Sequence, residues 1–344
     1  MGKVRKILLA AIVLLIVALS GIWGYYFYRQ YFSRPQLPPF AWGGVIRPFA
    51  LKGPETQNYD PRPVIDQQFQ LLQELGANSV RANYEGNPEI DDYLVAAAHR
   101  FKLPLILIVE GVGLNDFFKE ANYQRGFQLG YQVASRYRGK IAVYQLGNEA
   151  SGVTVKKDHP GVLESDYDDK KYAIFLAWLK GLAAGIKSAD PDAKLMITVN
   201  WVGVGIVKRL AEDGLPFDIV GWNWYSEMGE ITAAQYAKDQ PPLDIPRYIH
   251  QLGKKFVVTE ANLQGGSQGQ EAEQAQFLAQ FARQMKTNPY CSGFFVFPLT
   301  DLAGEQNQPT GHLGLVKVEK QNNHWIFGQK KPAFFALQKI IAQE

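Results

Sequence analysis

Cysteine is nearly missing from this chain: among 344 residues there is one, Cys291. A lone thiol closes no internal disulfide, so the fold is not a disulfide-stapled one. Cys291 sits in an apolar, strand-like run and reads as a small buried hydrophobe. An excess of one charge is missing too. The 36 Lys and Arg against 33 Asp and Glu leave +3, and Lys3, Arg5 and Lys6 cluster at the extreme N-terminus. The rest is close to neutral with no basic stripe, which argues against nucleic acid as a partner. The five histidines show no metal-ligand spacing, and no H-E-x-x-H occurs. Neither a metal nor a cofactor is expected. The place after the first strand where a dinucleotide fold carries its glycine-rich loop holds Pro48-Phe49-Ala50 instead.

Long hydrophobic runs are absent except at the start. Residues 7–27 are apolar and uncharged, long enough to cross a bilayer as a helix. Lys3, Arg5 and Lys6 precede the run, and Trp23, Tyr25, Tyr26 and Tyr28 gather at its far end. Charge before and an aromatic belt after predict one N-terminal transmembrane helix with its start in the cytoplasm. A cleaved signal peptide is the competing reading. Either way the remainder lies outside the cytoplasm, at the cell surface or in the periplasm, or secreted if the segment is removed. The expected organisation is an anchor over 1–28, a Pro-rich spacer over 29–42 and one catalytic-sized domain over 43–344. Oligomeric state is left open.

The remainder is rich in aromatics and alternates short β-type runs with amphipathic helical stretches, the rhythm of a parallel α/β fold. The strand candidates are 43–49, 79–84, 104–110, 141–149, 194–200, 218–225, 255–262 and 292–300. Helical candidates lie at 63–75, 89–101, 123–137, 172–188, 205–212, 245–252, 271–285 and 332–340. Eight of each around one core predict a TIM (β/α)8 barrel, with an open doubly wound sheet as the runner-up. In such barrels the chemistry sits where strands end. Polar residues collect there: Arg81 and Asn83, Asn148 and Glu149, Asn200 and Trp201, Trp224 and Tyr225, Glu260, and Phe297 to Asp301. The fourth and seventh strands face each other across a barrel mouth, and Glu149 and Glu260 end them. Two carboxyl groups flanking an anomeric carbon are what cuts a glycosidic bond: one gives a proton, the other attacks.

The motifs around these residues resemble those of the clan A retaining glycoside hydrolases, especially the catalytic barrels of families 2 and 5. Tyr144-Gln145-Leu146-Gly147-Asn148-Glu149 is similar to the Asn-Glu motif that ends strand four in that clan. Val257-Val258-Thr259-Glu260-Ala261 is similar to the motif that ends strand seven. The run 71–81, the run 218–225, and Gly311 to Leu315 followed by 331–337 are similar to further clan segments in the same order. The resemblance implies Glu149 as acid/base and Glu260 as nucleophile. It implies Asn148 on the sugar 2-hydroxyl, and Arg81 and Tyr225 as hydrogen-bond partners of Glu260. The clan's strand-eight tryptophan is replaced by Phe297, so Trp201 or Trp224 is the alternative floor of the sugar site. Glu110 reads as a structural ion pair, with contact to substrate as the alternative. The loops 151–169 and 301–329 are expected to shape subsites. The expected partner is a carbohydrate, with β-linked poly- or oligosaccharide as substrate. A transglycosylase using the same two glutamates, and an inactive glycan-binding barrel, are the alternatives.

Overall fold

The computed structural model describes residues 34–110, 117–149, 152 and 154–343. The apolar run at 7–27 lies outside them, and no described helix is long and apolar enough to cross a membrane. The compact unit that holds the fold is Gln36–Glu344.

Eight parallel strands close into a barrel in chain order, with β1 pairing both β2 and β8. They are β1 (Ala41–Val45), β2 (Ser79–Asn83), β3 (Leu105–Val109), β4 (Val143–Leu146), β5 (Lys194–Asn200), β6 (Ile219–Tyr225), β7 (Lys255–Asn262) and β8 (Cys291–Val296). The outer helices are α1 (Pro61–Leu75), α2 (Pro88–Arg100), α3 (Tyr123–Arg136), α4 (Asp169–Ala189), α5 (Val204–Glu212), α6 (Ile245–Gln251), α7 (Glu271–Thr287) and α8 (Pro332–Ile341). The closed sheet replaces the open-sheet alternative.

Local chemistry sets these limits. Helix α1 starts where Asp60 accepts the N–H of Arg62 and Pro61 fills the first turn, and it stops at Gly76, whose φ of 84° is left-handed. Strand β1 ends earlier than the 43–49 expected, because Ala50 bonds back to Arg47 and Lys52 to Phe49 in a turn. Strand β4 is shorter than 141–149 because Gly147 takes a φ of 71° and leaves the sheet. The segment 301–329 is not simply a loop: it holds an antiparallel hairpin, β9 (Val316–Gln321) with β10 (His324–Lys330).

Each strand divides its residues by alternation. One set, including Val80, Leu107, Trp222, Val258 and Phe294, packs outward under the helices in the main core. The other set points inward. Its lower layer is apolar, with Ala41, Ile106, Met196, Ile219, Val257 and Phe295. Above it the interior turns polar, with Arg81, Gln145, Thr198 and Asn223 all buried. That polar layer is the underside of the site.

Candidate active site

Strand β7 carries an irregularity that aims its glutamate. Trp222 of β6 pairs with Val258, yet the next residue, Asn223, pairs with Glu260, so Thr259 is the extra residue of a bulge. The Thr259 hydroxyl donates to the Asn223 side-chain oxygen at 2.9 Å, which fills the kink. Glu260 thereby turns inward at the strand end and is 5% exposed.

Three donors converge on it. Arg81 Nη1 lies 2.8 Å from Glu260 Oε1 and Asn148 Nδ2 lies 3.4 Å from the same oxygen. The Tyr225 hydroxyl donates to Oε2 at 3.0 Å. Arg81 is buried and uses all three of its nitrogens: besides Nη1, Nε donates to Gln145 at 2.8 Å and Nη2 to Asn148 Oδ1 at 2.9 Å. Burial and the Glu260 charge push the Tyr225 phenol well above its ordinary range, so it stays a donor.

Glu149 follows β4 in a left-handed conformation, φ 52°, a costly state for a residue with a Cβ. Asn223 Nδ2 donates to its Oε1 at 3.0 Å, and Asn200 also hydrogen-bonds it. Burial raises its pKa first and the Glu260 charge raises it further. The two carboxyl groups are joined by a polar relay, because Asn223 also reaches Asn148 Oδ1 at 3.4 Å. Both open into one cleft of about 600 Å³ shared with Arg47, Arg81, Asn148 and Phe297.

The cleft therefore gathers Glu149, Glu260, Arg81, Asn148 and Phe297, with Tyr225 and Asn200 bonded to the glutamates. Trp224 is not in it. Along β6 it shares the outward face of Val220 and Trp222, is 1% exposed, and donates its indole N–H to Gly229 at 2.8 Å. Trp201 lies near-parallel to Trp224, ring centres 6.1 Å apart, and does not line the cleft either. Glu110 corrects the ion-pair expectation. Its carboxyl accepts the backbone N–H of Asn148, and no cation bridges it among the described residues.

Asn83, one of the strand-end polar residues, lines the cleft too, while sequence reasoning passed over Arg47 and an apolar wall of Phe117, Phe175 and Trp178. Inward alternation from Ala41 through Gly43 and Val45 would have pointed at Arg47. Gly265-Gly266-Ser267-Gln268-Gly269 also has the G-x-S-x-G spacing of a nucleophile elbow between a strand and a helix. Ser267 is no such nucleophile: it is fully buried, donates to the His312 carbonyl at 2.7 Å and accepts from Lys331 at 2.8 Å. Among the described residues no cluster of His, Cys, Asp and Glu is arranged to hold a metal ion.

No protein-family model matches the sequence. No curated protein matches it either. Solved structures do match the fold. A family 2 β-galacturonidase from Eisenbergiella tayi, bound to galacturonate, superposes with a TM-score of 0.59 at 16% identity, over 88% of this chain and 50% of that one. The chain thus spans half the length of that enzyme. Xylanase 10B from Thermotoga petrophila, in complex with xylobiose, gives 0.59 at 15% identity, over 89% and 94%. A β-glucosidase from Thermotoga maritima, in complex with noeuromycin, gives 0.60 at 12% identity, over 90% and 99%. At such identities the likeness is one of fold. That fold is a closed eight-stranded barrel, the architecture expected from the sequence.

Proposed function

We propose that this chain is a retaining glycoside hydrolase acting on β-linked sugars, with Glu149 as acid/base and Glu260 as nucleophile. The observation that carries the reading is the contrast between two carboxyl groups in one cleft. Glu260 accepts from Arg81, Asn148 and Tyr225, so each of its hydrogen-bond partners is a donor and one is a fixed cation. Glu149 is bonded by neutral amides, and burial together with the Glu260 charge favours its protonated form. One group is set up to attack and the other to give a proton, which is the division of labour that glycosidic cleavage needs.

In the first step the carboxylate of Glu260 bonds to the anomeric carbon while Glu149 passes its proton to the departing oxygen. In the second, Glu149 takes a proton from water, and that water displaces Glu260 from the glycosyl-enzyme. The Asn148 amide, bonded to Arg81 and Glu260, takes in this reading the sugar hydroxyl next to the anomeric carbon. The solved neighbours named for galacturonide, xylan and glucoside cleavage support a sugar substrate. The apolar run at 7–27 further suggests an enzyme anchored to a membrane with its barrel outside the cytoplasm; recovery of the full chain in the soluble fraction of its cells would end that part.

The test is a screen of chromogenic β-glycosides and β-glycan oligomers against the barrel domain, with Glu260→Gln as control. Turnover that vanishes in the variant is expected. Turnover that survives in it would remove Glu260 from the mechanism.

A further inference from the structure

The cleft does not end at the two glutamates. Past Arg47 and Asn83, which line both hollows, it continues into a second cavity of about 350 Å³. Phe49, Lys52, Glu85 and Glu305 stand around that cavity. We propose that it is a second sugar subsite, which takes a neutral pyranose on the glycone side of the bond that is cut. The inference rests on the glycosidase reading above.

The cavity is built in advance. Buried Gln68 of α1 clamps the Arg47 backbone from both sides, accepting its N–H at 3.0 Å and donating to its carbonyl at 2.9 Å. The Arg47 guanidinium lies 5.8 Å from the centre of the Phe297 ring and makes no hydrogen bond or ion pair among the described residues. Its donors are therefore free for a ligand. Phe49 is 37% exposed at the cavity wall, with the Lys52 ammonium 5.5 Å over its ring, a flexible side chain that a ligand can displace. Tyr59 backs it at 5.9 Å and is itself tied to the Pro48 carbonyl at 2.8 Å. On the far side buried Asp91 fixes the Glu85 backbone, accepting its N–H at 2.8 Å.

The chemistry of this lining decides the class of ligand. Two cations, Arg47 and Lys52, stand against two acids, Glu85 and Glu305, so the cavity has no net charge to attract a uronate or an amino sugar. Forked donors and acceptors beside a partly exposed aromatic ring suit the paired hydroxyls and the apolar C–H face of a neutral sugar. Position decides the side. The acid/base must reach the leaving oxygen, so the leaving group lies toward Glu149 at the end of β4. The second cavity is walled instead by the segments after β1, β2 and β8. A substrate filling both hollows has at least two rings before the scissile bond.

The experiment compares kcat/KM for 4-nitrophenyl β-glycosides of glucose, mannose, galactose and xylose with those of the matching β-1,4-linked disaccharides. Uronide disaccharides form a further arm. Wild type is compared with Phe49→Ala and Glu85→Ala, whose folding is checked by melting temperature. For at least one neutral sugar the disaccharide should be preferred by about tenfold or more, the size of effect that pocket contacts supply. Both variants should collapse that preference toward one. A preference at or below one in the wild type, one that both variants leave intact, or one for uronides overturns the subsite as proposed. If nothing is hydrolysed, the glycosidase reading fails and the cavity is judged by calorimetry with cello-, manno- and xylotetraose. Binding to wild type that is lost in Phe49→Ala keeps the subsite, and no binding removes it.

Discussion

Arg81 and Glu260 meet at 2.8 Å although 179 positions separate them, and both side chains are almost wholly out of water. The pair survives burial because the guanidinium fork also donates to Gln145 and Asn148. A lysine at this place reaches one acceptor, not three. Arg81→Lys should therefore strand two buried acceptors, costing about 2–6 kcal/mol of stability at roughly 1–3 kcal/mol per lost partner. It should also lower kcat by about a hundredfold by loosening the nucleophile. Urea unfolding and steady-state kinetics check both. An unaltered unfolding midpoint would mean that the pair is not the keystone it looks to be.

The Glu260 charge should be visible in the titration of its partner. Glu149 works as proton donor only while protonated, so activity should fall as pH rises through its elevated pKa. Burial sets most of that elevation and the Glu260 charge adds to it. Neutralising the neighbour in Glu260→Gln should move the Glu149 pKa downward, read by 13C NMR of labelled glutamate side chains. An unchanged titration would show that the two groups are not coupled.

Asn223 acts in the opposite sense. Its amide donates to Glu149 at 3.0 Å and so favours the carboxylate. Asn223→Ala removes that donor, and the alkaline limb of the pH–rate profile should shift to higher pH while kcat drops. A limb that moves to lower pH would contradict the assignment of Glu149 as the acid.

Much of this geometry was already legible, and where it was not the cause is physical. The strand-end glutamates stood out because an apolar run that stops at a polar residue is visible in one dimension. Trp224 was open to exclusion on the same grounds: period two along β6 puts it with Val220 and Trp222, opposite Asn223 and Tyr225. The bulge at Thr259 was not legible, since only pairing with β6 reveals that Thr259 and Glu260 share one partner. Arg47 was partly hidden for a related reason. Alternation from Ala41 through Gly43 and Val45 points at it, but the clamp by Gln68 that holds it in the cleft comes from 21 positions away. The hairpin inside 301–329 was read as loop because His324 to Lys330 is only half-buried and shows no clean alternation.

A retaining mechanism makes a stereochemical forecast that does not depend on knowing the natural substrate. A covalent glycosyl-enzyme inverts the anomeric carbon twice, so the first-formed product from a β-glycoside is the β-anomer. Proton NMR within the first minutes of hydrolysis should show it before mutarotation. Initial release of the α-anomer would mean that a water sits between Glu149 and Glu260, and Glu260 would then be a base.

The loops behind the nucleophile are held by a second buried ion pair. Lys331 Nζ lies 2.7 Å from Asp301 Oδ1 and 2.8 Å from the Ser267 hydroxyl, and Asp301 also accepts the Gly314 N–H at 2.8 Å. Burial pulls the Lys331 pKa down and pushes that of Asp301 up, with the mutual attraction opposing both shifts. Such a pair is expensive to break on one side, because the remaining charge has no water to turn to. Lys331→Met should cost about 3–5 kcal/mol, and the double variant with Asp301→Leu should recover part of that loss. Ser267→Ala removes only a hydroxyl, so it should cost about 1 kcal/mol and leave kcat within about twofold of wild type. Chemical unfolding and turnover of the same three proteins separate the cases. Loss of catalysis in Ser267→Ala at near-native stability would return this serine, with its Gly-x-Ser-x-Gly spacing, to consideration as a reacting group.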